Sequence, residues 1–322
     1  EGMNGTYEYV TVTDPMGSLV KARYGILQDK TAVMEMAEAS GITLVKGELN
    51  PWKATSTGVG EMILDAVKKG CREFIIGIGG SATTEGGIGM LSALGYEFLD
   101  ENGTPLPPVF SSLEKVTQIK NDHVPEALKD CHFQIACDVT NPLCGEQGCV
   151  YVFGPQKGVK EEEKESMDRA MQSYAARLEQ FIGKKLSHLP GTGAAGGLGF
   201  AFLWGLPKAE LKPGIDIVLE AIGLRNELQD ADIVVTGEGC LDFQTAMGKV
   251  PVGVAQAAKN YNCKVIAFAG SVTEEAKKCN EKGIDAFFSI LPGVCSLDAA
   301  MDTETAQKNM RNTAEQVFRL LV

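Results

Sequence analysis

Along the first part of the chain, short strand-like apolar and polar runs occupy residues 7–13, 20–27 and 31–37. Pro15-Met16-Gly17 and Gln28-Asp29-Lys30 separate these runs, so the spacing predicts a three-stranded meander. The period then changes. Val59, Met62, Ile63, Ala66 and Val67 recur at helical intervals, which predicts a helix over 58–69, stopped by Gly70 and followed by a strand at 73–78. Between 160 and 182, Met167, Met171, Tyr174, Leu178 and Phe181 mark the core face of a long amphipathic helix, and Glu161, Glu162 and Glu163 crowd its positive first turn.

From 213 onward the elements alternate: strand 232–235, helix 251–260 opening with Pro251, strand 264–269, helix 273–282, strand 285–290 and helix 297–321. Such alternation implies parallel strands joined by right-handed crossovers. Ser271-x-x-Glu274 reads as a capping box for the helix at 273–282. A chain of 322 residues is also longer than one ordinary core supports, so two α/β domains are expected, 1–212 and 213–322.

Glycine-rich loops interrupt both patterns. The stretch from Phe74 to Gly95, FIIGIGGSATTEGGIGMLSALG, runs from an apolar strand through a loop dense with hydroxyls into a helix, an arrangement that binds anions through backbone amides, hydroxyls and the positive helix end. Gly77-x-Gly79-x-x-Ala82, with Glu97 or Asp100 further on, also satisfies a dinucleotide fingerprint, whereas no Gly-Lys-Ser/Thr closes a Walker A loop. Three more such loops follow, DVTNPLCGEQGCVYVFGPQKG at 138–158, GTGAAGGLG at 191–199 and TGEGCLDFQTAMGK at 236–249. Each lies near an apolar run, where α/β proteins place ligands.

Composition narrows the partners. With 42 acidic against 30 basic residues the net charge is −12, which argues against nucleic acid or anionic lipid. Phosphate must then be held by local design. No apolar run reaches the length of a membrane span, and the start does not read as a signal peptide. The nine cysteines form no C-x-x-C pair and read as reduced thiols; the three histidines, His132 and His188 among them, suggest no zinc site. A soluble cytoplasmic enzyme is the expectation.

Taken together, GIGGSATTEGGIGMLSALG, ACDVTNPLCGEQG with FGPQKG, GTGAAGGLG and VVTGEGCLDFQTAMGKVPVGVA resemble, in order, the signature blocks of the bacterial type I glycerate kinase family. The resemblance implies ATP-dependent phosphorylation of D-glycerate, with 2-phosphoglycerate as the favoured product and ATP and Mg²⁺ as cofactors. It implies two different α/β domains, one restriction-endonuclease-like with a mixed sheet over 1–212 and one flavodoxin-like with a parallel sheet, of which 213–322 is the C-terminal part. The chain opens at Glu1 without an initiator Met, and the family's N-terminal segment is not in it. Thr84-Glu85 stands where the family has Asn-Asp, and Cys240 where it has Arg.

A kinase of this kind needs positioning, a metal on the phosphate oxygens and cations for the developing charge. Gly79, Gly80, Ser81 and Thr83 are the expected phosphate cradle, with Glu85 holding or orienting Mg²⁺ through water. Asp138 is placed like a metal ligand or the base that takes the substrate hydroxyl proton, and Glu238 and Asp242 compete for the same roles. Lys157 and Lys249 would pair with phosphate or with the substrate carboxylate. The site is expected where the two domains meet. The alternatives are an NAD-dependent oxidoreductase acting on a small hydroxy acid, and a non-catalytic nucleotide-binding fragment. Oligomeric state is left open, a homodimer included.

Overall fold

The computed structural model describes residues 4–321. The chain divides into two compact units, one ending at Gly214 and the other beginning at Ile215. In the first unit β1 (Thr6–Thr13), β2 (Leu19–Ile26) and β3 (Thr31–Glu35) form the meander. They continue into β4 (Glu73–Gly77), β7 (His132–Ala136) and β8 (Ala209–Lys212), giving a six-stranded sheet ordered β1-β2-β3-β4-β7-β8. The meander is antiparallel and the rest parallel, so the sheet is mixed. β5 (Glu97–Leu99) and β6 (Gln118–Lys120) pair as a separate ribbon.

The helix Thr57–Lys68 buries Val59, Met62, Ile63, Ala66 and Val67, the apolar set read from the sequence. Each large member contributes roughly 1.5–3 kcal/mol by leaving water. Gly70, at φ +92°, ends the helix as expected. Where β4 and β7 pair, Phe74 stacks on Phe133 at 4.6 Å between ring centroids, which fixes the register of the two strands whose ends carry the site. The helix Lys164–Ile182 follows a short 3₁₀ turn, Glu161–Glu163, and buries Met167, Met171, Tyr174 and Leu178. Phe181 lies half in solvent against Trp204.

In the second unit, β9 (Ile233–Leu241), β10 (Lys264–Val272) and β11 (Ala286–Ser289) form a parallel sheet ordered β11-β10-β9. The alternation of strand and helix is present, with four local corrections. β9 runs on through Thr236-Gly237-Glu238-Gly239 to Leu241, because these residues pair with β10 instead of leaving the sheet. Ser271 belongs to β10, so no capping box forms there, and Thr273 takes the N-cap position. The segment Glu274–Lys282 is a 3₁₀ helix. The last helical stretch is broken between Leu297–Met301 and Thr303–Phe318, where the Asp302 carboxylate accepts from the Thr305 amide and starts a new helix. No helix among the described residues is long and apolar enough to cross a membrane.

Candidate functional site

Three of the four glycine-rich loops come together in the first unit. The ends of β4 and β7, neighbouring parallel strands, open a pocket of about 320 Å³, whose walls include Gly79, Gly80 and Ser81 from the first loop and Asp138, Gln156 and Lys157 from the second. Ala194 and Ala195 of the third close it, and Ile42, Val139 and Phe153 supply apolar wall. The first loop is pinned by backbone bonds from Ile42 to the Gly80 carbonyl and from Ala82 to the Ser40 carbonyl, each 2.9 Å. No hydrogen bond to another described residue engages the amides of Gly79, Gly80 or Ser81. A side chain at Gly79 would meet nothing within 4 Å, so its glycine leaves space for a ligand.

Lys157 is the cation of this pocket. Its 3₁₀ turn, Pro155–Lys157, ends at Gly158 with φ +96°, and the side chain runs inward until the residue is only 2 % exposed. The ammonium donates to Ser81 Oγ and to the Thr83 carbonyl, both at 2.6 Å. Burial pushes its pKa down to about 8 despite the neighbouring Glu85.

Glu85 does not stand ready for a metal. It is 0 % exposed, and its carboxylate accepts from the Ser56 amide at 2.8 Å, the Ser56 hydroxyl, the Gly87 amide at 2.8 Å and the Gly89 amide at 3.2 Å. Burial raises its pKa above the usual carboxylate range, against the pull of these donors. The same bonds occupy the start of the helix Ile88–Ala93, so the positive helix end faces Glu85 and not a bound anion. Thr83 is not among the residues lining the pocket: its hydroxyl is buried without a partner among the described residues, and its carbonyl holds Lys157. The Thr84 hydroxyl is buried and unpartnered too. Thr84→Val, which replaces that hydroxyl by a methyl of the same shape, is expected to raise stability by about 1 kcal/mol in chemical denaturation.

The third loop supports the first from behind. Ala195, Gly196 and Gly197 all have positive φ, at +52°, +67° and +95°. The Gly196 carbonyl accepts from the Gly86 amide at 2.9 Å, and a Cβ on Gly196 would lie 2.0 Å from the Thr83 carbonyl oxygen. Gly196→Ala is therefore expected to cost about 2 kcal/mol or more, the sum of left-handed strain and displaced backbone, and to lower turnover by moving the carbonyl that holds Lys157. Thermal melts alongside kcat check both effects.

Asp138 is exposed just past the end of β7 and is the one carboxylate among the residues lining the pocket. Its Oδ1 accepts from the Gly214 amide at 2.8 Å, which orients the group and leaves Oδ2 free of that bond. The remaining predicted residues lie in the second unit, as a network of their own. The Thr245 hydroxyl donates to Glu238, the Thr245 amide to Asp242 at 3.0 Å, and Lys249 pairs with Asp242 at 3.7 Å. Thr245 and Lys249 together hold the Asp242 carboxyl below the usual range, the Thr245 amide first. Asp242 thus caps the short helix Phe243–Ala246, and Glu238 sits on β9, not in a loop.

Neither acid of the dinucleotide reading lines the pocket. Asp100 accepts from the amides of Asn102 and Thr104 inside its own turn, and Glu97 pairs with His123. Ser56, which anchors Glu85, belongs to no site motif that the sequence displays, and nothing in the second loop marks Gln156 as lining the pocket.

The model of the glycerate kinase family matches residues 1–322. The chain belongs to the glycerate kinase family. It is 43 % identical over 303 residues to the glycerate kinase of Halalkalibacterium halodurans, covering 94 % of this chain and 80 % of that relative. It is 44 % identical over 298 residues to the glycerate 2-kinase of Escherichia coli, covering 92 % and 78 % of the two chains. A crystal structure from Salmonella typhimurium LT2, assigned as a glycerate kinase 2, superposes with a TM-score of 0.86 at 42 % identity, covering 99 % of this chain and 83 % of that one. In this member of the glycerate kinase family Cys240, at the position where the resemblance expects arginine, is exposed on β9 opposite Ser271. Among the described residues no group of three or more His, Cys, Asp or Glu side chains forms a metal-holding cluster.

Proposed function

We propose that this chain phosphorylates D-glycerate with ATP and Mg²⁺, at the 2-hydroxyl, and that the pocket at the ends of β4 and β7 holds an anionic part of the reactants. One observation carries the reading: in a chain of net charge −12, a lysine ammonium is buried at the wall of a glycine-lined pocket beside unengaged amides. That donor set suits phosphoryl or carboxylate oxygens. The fit to magnesium is of the kind in which one or two carboxylates and the nucleotide's own phosphates share the ion, with Asp138 the residue that would hold it in this pocket. Bound with ATP, the ion would neutralise charge on the phosphoryl oxygens.

The chain's own residues do the rest. The Gly79–Ser81 amides fix the anion, and the buried Lys157 charge behind Ser81 stabilises it. With the ion carried by the nucleotide's phosphates and water, Asp138, oriented by the Gly214 amide, would instead take the proton leaving the substrate hydroxyl. Asp138→Asn is expected to lower kcat by about 10²–10⁴ with little change in folding. The reading as a whole is tested by ADP release with D-glycerate, its enantiomer and other hydroxy acids, followed by ³¹P NMR of the product. Turnover of D-glycerate to 2-phosphoglycerate supports it; no ADP release with any of them overturns it.

A further inference from the structure

An ammonium only donates, which fixes the direction of its hydrogen bond to Ser81. Lys157 Nζ gives one proton to Ser81 Oγ and another to the Thr83 carbonyl, both at 2.6 Å. The Ser81 hydroxyl hydrogen must therefore point away from Lys157. Ser81 is 8 % exposed, lines the pocket, and makes no side-chain hydrogen bond to any described residue other than Lys157. We propose that Lys157 acts through Ser81 as a positioning residue, turning that hydroxyl into a one-way donor aimed into the pocket, so that this subsite takes a fully ionised oxygen, carboxylate or phosphoryl, in preference to a neutral group.

The device is reversible. If Lys157 loses its proton, the neutral amine can accept from Ser81, the hydroxyl turns inward, and the donor is withdrawn from the ligand. The titratable groups facing Lys157 from neighbouring elements are Glu85 on the pinned loop and Cys149 on the helix Cys149–Phe153, with Asp138 across the pocket wall and Tyr174 beside Glu85. Burial pushes the Cys149 thiol up to about 12 and the Tyr174 phenol well above its ordinary value, whereas it brings Lys157 down to about 8. The sign follows: the cationic, donor-out state is present below that value and is lost as pH rises through it.

The inference rests on the kinase reading in one respect, since that reading supplies glycerate as a carboxylate and ATP as a phosphoryl source. Calorimetric titration of the intact protein with D-glycerate, with glyceramide, its uncharged analogue, and with tripolyphosphate, at pH 7.0 and 9.5, separates the two sources. The anion that uses the subsite is expected to lose affinity about tenfold or more between these pH values, the loss set by deprotonation of a group near pH 8. Ser81→Ala, checked for folding by thermal melt, should bind that anion more weakly and with a flat pH profile. A steep profile retained in Ser81→Ala would show that Lys157 meets the anion directly and would overturn the proposal. Wild-type protein that binds neither anion, or that holds glyceramide as tightly as D-glycerate and tripolyphosphate with no pH dependence, would overturn it as well. Absence of ADP release with pH-dependent anion binding intact would sink the kinase reading alone.

Discussion

Glu85→Ala is expected to destabilise the first unit by at least about 3 kcal/mol. The substitution orphans the amides of Ser56, Gly87 and Gly89 and the Ser56 hydroxyl at once, all inside a site with no solvent exposure. Each unsatisfied buried group costs about 1–3 kcal/mol, so even partial relaxation leaves a large deficit. Ser56 Oγ also accepts from the Met90 amide at 2.9 Å, so the loss spreads to the helix Ile88–Ala93. Glu85→Gln keeps an acceptor for the Ser56 side but turns an NH₂ toward the Gly87 amide, and an intermediate loss is expected. Urea denaturation followed by a probe in the first unit measures both; an alanine variant within about 1 kcal/mol of wild type, below the ~1–3 kcal/mol cost of a single orphaned group, would show that Glu85 does not anchor the loop.

Lys157→Met is expected to act in the opposite way, on catalysis and not on folding. Removing the one buried cation of the pocket should lower kcat/KM for glycerate phosphorylation by about 10²–10³, the usual cost of losing a single preorganised donor. Stability should change little, because the relief of a charge that burial disfavours is offset by the Thr83 carbonyl left without its donor, about 1–3 kcal/mol. Lys157→Arg is not a rescue by default: a planar fork has to fit where a compact ammonium reaches both Ser81 Oγ and the Thr83 carbonyl. If Lys157→Met lost stability and kept its turnover, Lys157 would be a structural residue and the pocket would need another cation.

These two residues also show how far the sequence could be read. The glycine-rich loop after β4 was legible as a candidate anion site because strand, glycines, hydroxyls and helix lie next to one another in the chain. What separates Glu85 from Lys157 is the set of partners around each, and those partners are remote in sequence. Ser56 reaches Glu85 across 29 positions, and Lys157 reaches Ser81 across 76. A carboxylate between hydroxyls and glycines looks free until the partner that surrounds it is known. The division of labour at Thr83, carbonyl at work and hydroxyl idle, is invisible to any reading of side-chain type.

Regular elements followed the same logic. The helix Thr57–Lys68 and the helix Lys164–Ile182 were set by periodicity alone, since a one-sided apolar face has few ways to be buried. The extension of β9 through Gly237 and Gly239 was not legible, because glycines read as loop while the pairing with β10 that makes them strand is nonlocal. A Cβ at Gly237 would lie 2.3 Å from the Phe268 carbonyl oxygen, so close approach of the neighbouring strand, and not a turn, explains that glycine. Ser271 failed as a cap for the same reason: its place in β10 is fixed by the partner strand.

The most direct measurement is a crystal structure of the chain with magnesium, a non-hydrolysable ATP analogue and D-glycerate. A carboxylate or phosphoryl oxygen within hydrogen-bonding distance of Ser81 Oγ, beside Lys157 and under the Gly79–Gly80 backbone, is the expected result. Both ligands bound with every anionic oxygen outside that pocket would contradict it.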